Sequence, residues 1–243
     1  MSNPSFVTFN MAQVLKAHAA RQRDRGKRVR TRAQILAAAA REMELAGYEA
    51  LTVERIANAS GMAHGTFYRY FDNRSDVASA IIKRYMALVR RNRPRASKAQ
   101  TPFQTIHAYN RYYTANYIAN AAMLRGREAL MREAPELMKE RDVVNDRWAR
   151  IVLRDLARRR DMPPGSTEDP FAKLAVRSAI AMVDELLREI YVYKSPSLSR
   201  LVDSEEQVAE LISFMWFRAI FGETPPLNEL KWAKTFGANF LDR

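Results

Sequence analysis

The chain has 243 residues, enough for one large domain or two smaller ones with a substantial buried core. It is 47% hydrophobic with 8 glycines and no cysteine, which describes a helix-rich globular protein and excludes disulfides, thiolate nucleophiles and cysteine-ligated zinc. The net charge of +13 is unevenly placed: residues 1–95 hold 18 Lys/Arg against 7 Asp/Glu, and residues 96–243 hold 22 against 20. An excess confined to the first two-fifths of the chain is the electrostatic footprint expected for a polyanion.

Taken in chain order, residues 10–20 suggest a short helix and residues 21–32 (RQRDRGKRVRTR) a basic arm. Thr31 and Gln34 have the spacing of a capping box for the next helix. Ile35, Leu36, Ala39, Met43 and Ala46 recur at helical spacing along it, and Gly47 is expected to end it as a left-handed residue. A short helix follows from an N-cap at Thr52 to about Asn58. Gly61 breaks the chain, a second short helix is expected over 63–71, and a longer one over 75–91. Beyond Pro94 the apolar periodicity predicts helical blocks at about 102–122, 127–138, 141–160, 170–193, 204–221 and 226–240. No stretch alternates as a strand, so the expected fold is all-α: an N-terminal helix-turn-helix unit and a larger C-terminal helical bundle.

The stretch ASGMAHGTFYRYFDNRSDV (59–77) carries the chemistry. Two short helices joined by a glycine-bearing turn make a helix-turn-helix, whose second helix enters the major groove of DNA. Phe67 and Phe71 lie four apart and are expected to pack inward. The polar positions between them are left outside. Ala63 and Gly65 keep one end slim enough for backbone to approach DNA. His64 and Thr66 are candidates for base edges or phosphates, Tyr68 and Tyr70 for phosphate oxygens, and Arg69 for a phosphate or a guanine edge. Arg74 opens the next helix, where free backbone N–H groups favour an anion. In the basic arm, Arg28 and Arg30 are DNA-contact candidates. The arm either lies in the minor groove, raises affinity along the backbone, or is a solvated tail.

TVERIANASGMAHGTFYRYFDNRSDV (52–77), with TRAQILAAAAREMELAGYEAL before it, resembles the DNA-binding domain of the tetracycline-repressor (TetR) family of transcription regulators. The likeness covers roughly residues 30–90. It implies DNA contacts from Thr52 as well as from the residues above, and a C-terminal helical domain that dimerises and binds a small effector. Ala63 and His64 depart from the residues common at those positions, so a base preference does not carry over. The implied organisation is a basic extension over 1–29, a helix-turn-helix DNA-binding domain over 30–75, and a helical regulatory and dimerisation domain over 76–243.

The resemblance also implies that the helices near 170–193 and 204–221 pair across a two-fold axis. Leu174, Ser178, Ala181 and Glu185 on the first, and Leu211, Met215 and Trp216 on the second, are the candidate dimer face. Intramolecular core is the competing reading. For an effector, Tyr109, Tyr113 and Tyr117 share a helix face and, with Trp148 and Met182, are either core or the lining of an apolar pocket. Arg147, Arg150, Arg154 and Arg158 form a face that is either solvated or suited to an anionic effector. The expected partners are thus a double-stranded DNA operator, a second copy of the chain and a small apolar or anionic organic molecule.

No enzymatic motif, no cofactor loop and no metal-ligand spacing occurs, so neither catalysis, a cofactor nor a metal is expected. The alternative function is a DNA-bound adaptor that recruits a protein without a small-molecule effector. No apolar run reaches the roughly 18 residues of a membrane span, and the first residues lack the pattern of a secretion signal. A cytoplasmic protein without a membrane partner is expected.

Overall fold

The computed structural model describes residues 6–95, 97, 99–159 and 165–236. These are α-helical, with no strand among the described residues. Residues 1–5 of the expected extension, residue 160 at the end of the expected 141–160 helix and 237–240 of the expected last helix lie outside that range. The chain forms two compact units: one holds residues 5–93 and 115–138, the other residues 94–114 and 139–243.

The first unit opens with α1 (Met11–Arg21), capped by the Asn10 side chain, which accepts from the Gln13 N–H at 3.0 Å. α1 buries Met11, Ala12 and Leu15 along α2 (Lys27–Ala46). α2 starts five residues earlier than the capping-box expectation. Gly26 occupies the cap position and Thr31 is buried within the helix, because the run KRVRTR contains no helix breaker. Ala38, Ala39 and Ala40 are buried on α2, and their small side chains let α3 (Val53–Ser60) and its other neighbours approach closely. Gly47 does end α2, but with φ 77° and ψ 177°. That is not the left-handed helical conformation expected; it is a region essentially reserved for glycine.

Thr52 caps α3 as expected, its hydroxyl accepting from the Arg55 N–H at 3.1 Å. Arg55 itself pairs with Glu42 on α2 at 2.8 Å. Gly61 ends α3 at φ 67°, ψ 30°, and the following Met62 N–H reaches back to the Ala57 carbonyl at 3.0 Å. α4 (His64–Phe67) continues through tight turns to Phe71. α5 (Arg74–Arg91) is capped by Asn73. The unit is completed by the end of α6 (Pro102–Ala119), by α7 (Ala121–Leu124) and α8 (Arg127–Glu133), and by the first residues of α9 (Pro135–Arg159).

In the second unit Asp169 caps α10 (Pro170–Leu187), which runs into a π turn over Arg188–Val192 rather than continuing as an α-helix to residue 193. α11 (Pro196–Ser199) leads to α12 (Glu205–Phe221), bounded by a Ser204 cap and by Gly222 at φ 71°. A 3-10 turn over Leu227–Glu229 and α13 (Ala233–Phe236) stand where one helix over 226–240 is expected. Buried Glu210 of α12 explains the break: its carboxylate accepts from the backbone N–H groups of Lys231 at 2.9 Å, Trp232 at 2.7 Å and Ala233 at 2.7 Å. Two apolar clusters fill this unit, one around Phe103, Phe214 and Phe217, the other around Ala149, Leu153 and Val176 with Trp216 beside it.

Candidate nucleic-acid interface

The site begins with two buried phenyl rings. Phe67 and Phe71 are 1% and 2% exposed, with ring centroids 5.9 Å apart. They fix the rotation of α4 and the turn after it, so the intervening side chains point away from the core. Tyr68 is 51% exposed and packs edge-on to Phe67 at 5.5 Å and to His64 at 5.3 Å. His64 and Tyr68 therefore stand as a pre-oriented pair one turn apart on the outer surface. Ala63, His64, Gly65 and Arg69 are exposed, and Thr66 and Tyr70 half-buried. Thr52 is exposed at the start of α3 with its hydroxyl already engaged as the cap. Gly61 has open space where a Cβ would stand, so it is needed for its positive φ alone.

Arg32 on α2 lies over the Phe71 ring, 4.8 Å from its centroid, and ties the start of α2 to the turn that follows α4. Arg28, one turn earlier on α2, is exposed, and Arg30 is half-buried with its guanidinium donating to the Arg23 carbonyl at 3.3 Å.

The Arg74 guanidinium is engaged by several protein groups while a third of the side chain stays exposed. It donates to Glu133 of α8 at 2.6 Å, to the Leu51 carbonyl at 3.1 Å and to the Glu49 carbonyl at 3.4 Å, and it sits 4.9 Å from the Tyr48 ring centroid. The Tyr48 hydroxyl also donates to Glu133. The side chain thus braces α5, of which Arg74 is the first residue, against the loop after α2. Nothing in the sequence pairs Arg74 with a carboxylate 59 residues later.

This brace is titratable. Hydrogen bonds from Arg74 and then Tyr48 hold the Glu133 carboxyl below its usual range. Burial, followed by the bond to Glu133, pushes the Tyr48 phenol up to about 12. A carboxyl that titrates lower when folded contributes its stability above the ordinary carboxylate pKa of about 4.3, and loses it as the pH falls through the folded value. Denaturant unfolding followed from about pH 7 down to about pH 3 should therefore show a stability loss on the acid side that is shallower in Glu133→Gln. An identical acid slope in the variant would remove Glu133 from this role.

The candidate effector residues divide between the units. Tyr109 and Tyr113 stack at 6.2 Å with 9° between their planes, and Trp148 lies 5.0 Å from Tyr109. The Tyr113 hydroxyl donates to Asp184 at 2.6 Å, and Arg141 pairs with the other Asp184 oxygen at 2.7 Å. Asp184 and Arg141 are not marked by any sequence motif. Met182 is half-buried in the same unit. Tyr117, one turn beyond Tyr113 on α6, is buried in the first unit. On the Arg147–Arg158 face, Arg150 pairs with Asp146 at 3.5 Å and Arg158 with Asp155, which is the arrangement of a solvated face.

The candidate dimer residues Leu174, Ser178, Ala181 and Glu185 are all exposed along one face of α10, as are Leu211 and Met215 on α12. Trp216 is half-buried, its indole N–H donating to the Ala179 carbonyl at 3.1 Å between the two helices. Among the described residues no group of three His, Asp or Glu side chains is placed to hold a metal, and no helix is long and apolar enough to cross a membrane.

A glycine-turned helix pair with a buried aromatic brace and a polar, hydroxyl-bearing outer face is the arrangement of a helix-turn-helix unit. Residues 35–81 match the profile described as "Bacterial regulatory proteins, tetR family". In fold, the chain is similar to the fatty acid degradation regulator FadR from Bacillus halodurans. That likeness has a TM-score of 0.50 and 17% sequence identity, and covers 79% of this chain and 95% of that one. Compared by sequence with curated proteins, the chain has no match.

Proposed function

We propose that the chain is a homodimeric, effector-responsive transcription repressor of the cytoplasm that binds a near-palindromic operator. The observation that carries this reading is the outward array His64–Tyr68–Arg69 held rigid by Phe67 and Phe71. Thr52, Ala63, Gly65, Thr66 and Tyr70 complete the proposed DNA contacts, with Arg28 and Arg30 at the start of α2. Arg74 contributes through its backbone N–H at the first turn of α5, since its guanidinium acts as the brace.

Two chains would join through the exposed apolar faces of α10 and α12. Two-fold symmetry then presents the reading helices about 34–36 Å apart, in successive major grooves. The stacked Tyr109–Tyr113 pair, Trp148 and the Asp184–Arg141 pair support an effector with a flat apolar body and a polar group. An effector bound there shifts the population towards dimers whose reading helices are wrongly spaced, so simultaneous docking is lost.

Tyr68→Ala and Arg69→Ala should each weaken duplex binding by about 1–3 kcal/mol while leaving unfolding stability close to that of the parent chain. Fluorescence anisotropy on an enriched duplex, paired with thermal unfolding, reads both quantities. Undiminished binding by both variants would remove the reading helix from the interface.

A further inference from the structure

The basic segment before the family-matched region is not separate from the fold. α1 is anchored at its start by buried hydrogen bonds. The Phe9 N–H donates to the Asn116 side-chain oxygen at 3.0 Å and the Met11 N–H to that of Asn120 at 2.8 Å, while the Asn120 side chain donates back to the Phe9 carbonyl at 2.8 Å. Asn10 adds a bond to the Ala119 carbonyl at 3.0 Å. With Met11 and Leu15 buried against the unit, α1 and α2 form an ordered helical hairpin whose corner is residues 22–26.

That corner is densely cationic. Arg21, Arg23, Arg25, Lys27 and Arg28 are all exposed, and Asp24 is the single acid between them. None of the five has a carboxylate partner among the described residues. Behind the corner, half-buried Arg84 of α5 also lacks one among those residues. Burial, then neighbouring Arg32, holds its pKa down, and His18 is lowered by burial, then by Arg84 and Arg21. Cations gathered on three helices with Asp24 as the one acid among them repel one another, which costs stability in the free chain. Arg32 meanwhile touches Phe71, so this cluster borders the reading helix.

From these observations we infer that the α1–α2 hairpin is a second, pre-ordered DNA grip, whose corner cations bind phosphates flanking those met by α4. The inference rests on the DNA-binding reading given above. A grip already ordered avoids the entropy of fixing a loose tail on binding, so each cation contributes more affinity than it would on a free arm. It also widens the footprint without adding base specificity.

The test uses the full chain and a duplex of about 40 base pairs drawn from the pool it enriches from random sequence, long enough for two half-sites. In one variant, Arg21→Gln, Arg23→Gln, Arg25→Gln and Lys27→Gln are combined, and Arg28, one of the contacts proposed above, is left in place. The slope of log affinity against log salt should shallow by about 0.9 for each phosphate that is no longer neutralised, a change of about 2 or more in all. A second variant, Phe9→Ala with Asn120→Ala, keeps every charge but frees α1, which amide hydrogen exchange over residues 11–21 reports. Its affinity should fall about tenfold or more, as the ordering cost returns. An unchanged slope in the first variant overturns the hairpin's grip on DNA. Parental affinity in the second, with α1 shown to be released, overturns the pre-ordering. Failure of the parent chain to bind any duplex would instead strike the underlying DNA-binding reading.

Discussion

Phe67→Ala is expected to lower the stability of the first unit by about 3–5 kcal/mol and to abolish DNA binding with it. The ring is 1% exposed and touches both Phe71 and Tyr68, so its removal strips away apolar packing and leaves a cavity beneath the reading helix. Set against the normal stability of a domain, a deficit of that size unfolds much of the population. Chemical denaturation followed by far-UV circular dichroism measures the effect. The contrast with Tyr68→Ala is the informative part, because the two residues are neighbours at the end of α4 yet one is buried and the other half in solvent. Phe67→Ala should fail through folding, and Tyr68→Ala through binding alone. Similar stability for the two variants would mean that the rings do not brace the helix.

A second large effect is expected from Leu211→Asp combined with Met215→Asp. Both side chains are 42% exposed on α12, and they lie on the helix beside α10, which presents Leu174 at 60% exposure. Carboxylates there should cost the folded chain little, since the positions already meet solvent. In the proposed symmetric dimer, however, each substitution would be buried twice against its own copy, and the charges would be desolvated and face like charges. The variant should sediment as a monomer and bind duplex DNA about 100-fold more weakly or worse, since the second reading head no longer acts at high effective concentration. Analytical ultracentrifugation beside a DNA titration reads both. A variant that remains dimeric would move the interface elsewhere.

The parts of this molecule that are legible in its sequence are those fixed by neighbours in the chain. The Thr52 cap, the Gly61 turn and the Phe67–Phe71 spacing are local geometry, and each stands as the residue pattern predicts. Ser204 and Gly222 likewise bound α12 near the expected limits. Tertiary contacts override the rest. Thr31 resembles a cap because its hydroxyl and Gln34 have the right spacing, but the preceding basic run is itself helical and Thr31 is drawn into the interior. Gly47 serves a close crossing: a Cβ there would lie 3.2 Å from the Arg125 carbonyl oxygen, and one on Gly126 would lie 3.2 Å from the Tyr48 Cβ. Only the fold brings those two segments together, as it brings Glu133 to Arg74 and Asp184 to Tyr113. Tyr117 shares a helical face with Tyr109 and Tyr113, yet helical spacing does not reveal that α6 passes from one unit into the other.

Glu210 makes the segment after residue 230 a part of α12's own stability. The amide hydrogens of Lys231, Trp232 and Ala233 all point into a carboxylate that is only 2% exposed. Trimming the chain back past residue 230 would therefore leave a buried polar side chain without its three backbone donors, and α12 would respond by admitting water. The helix proposed to join two copies is thus anchored from behind by the tail, and edits at that end would be felt at the partner-facing side.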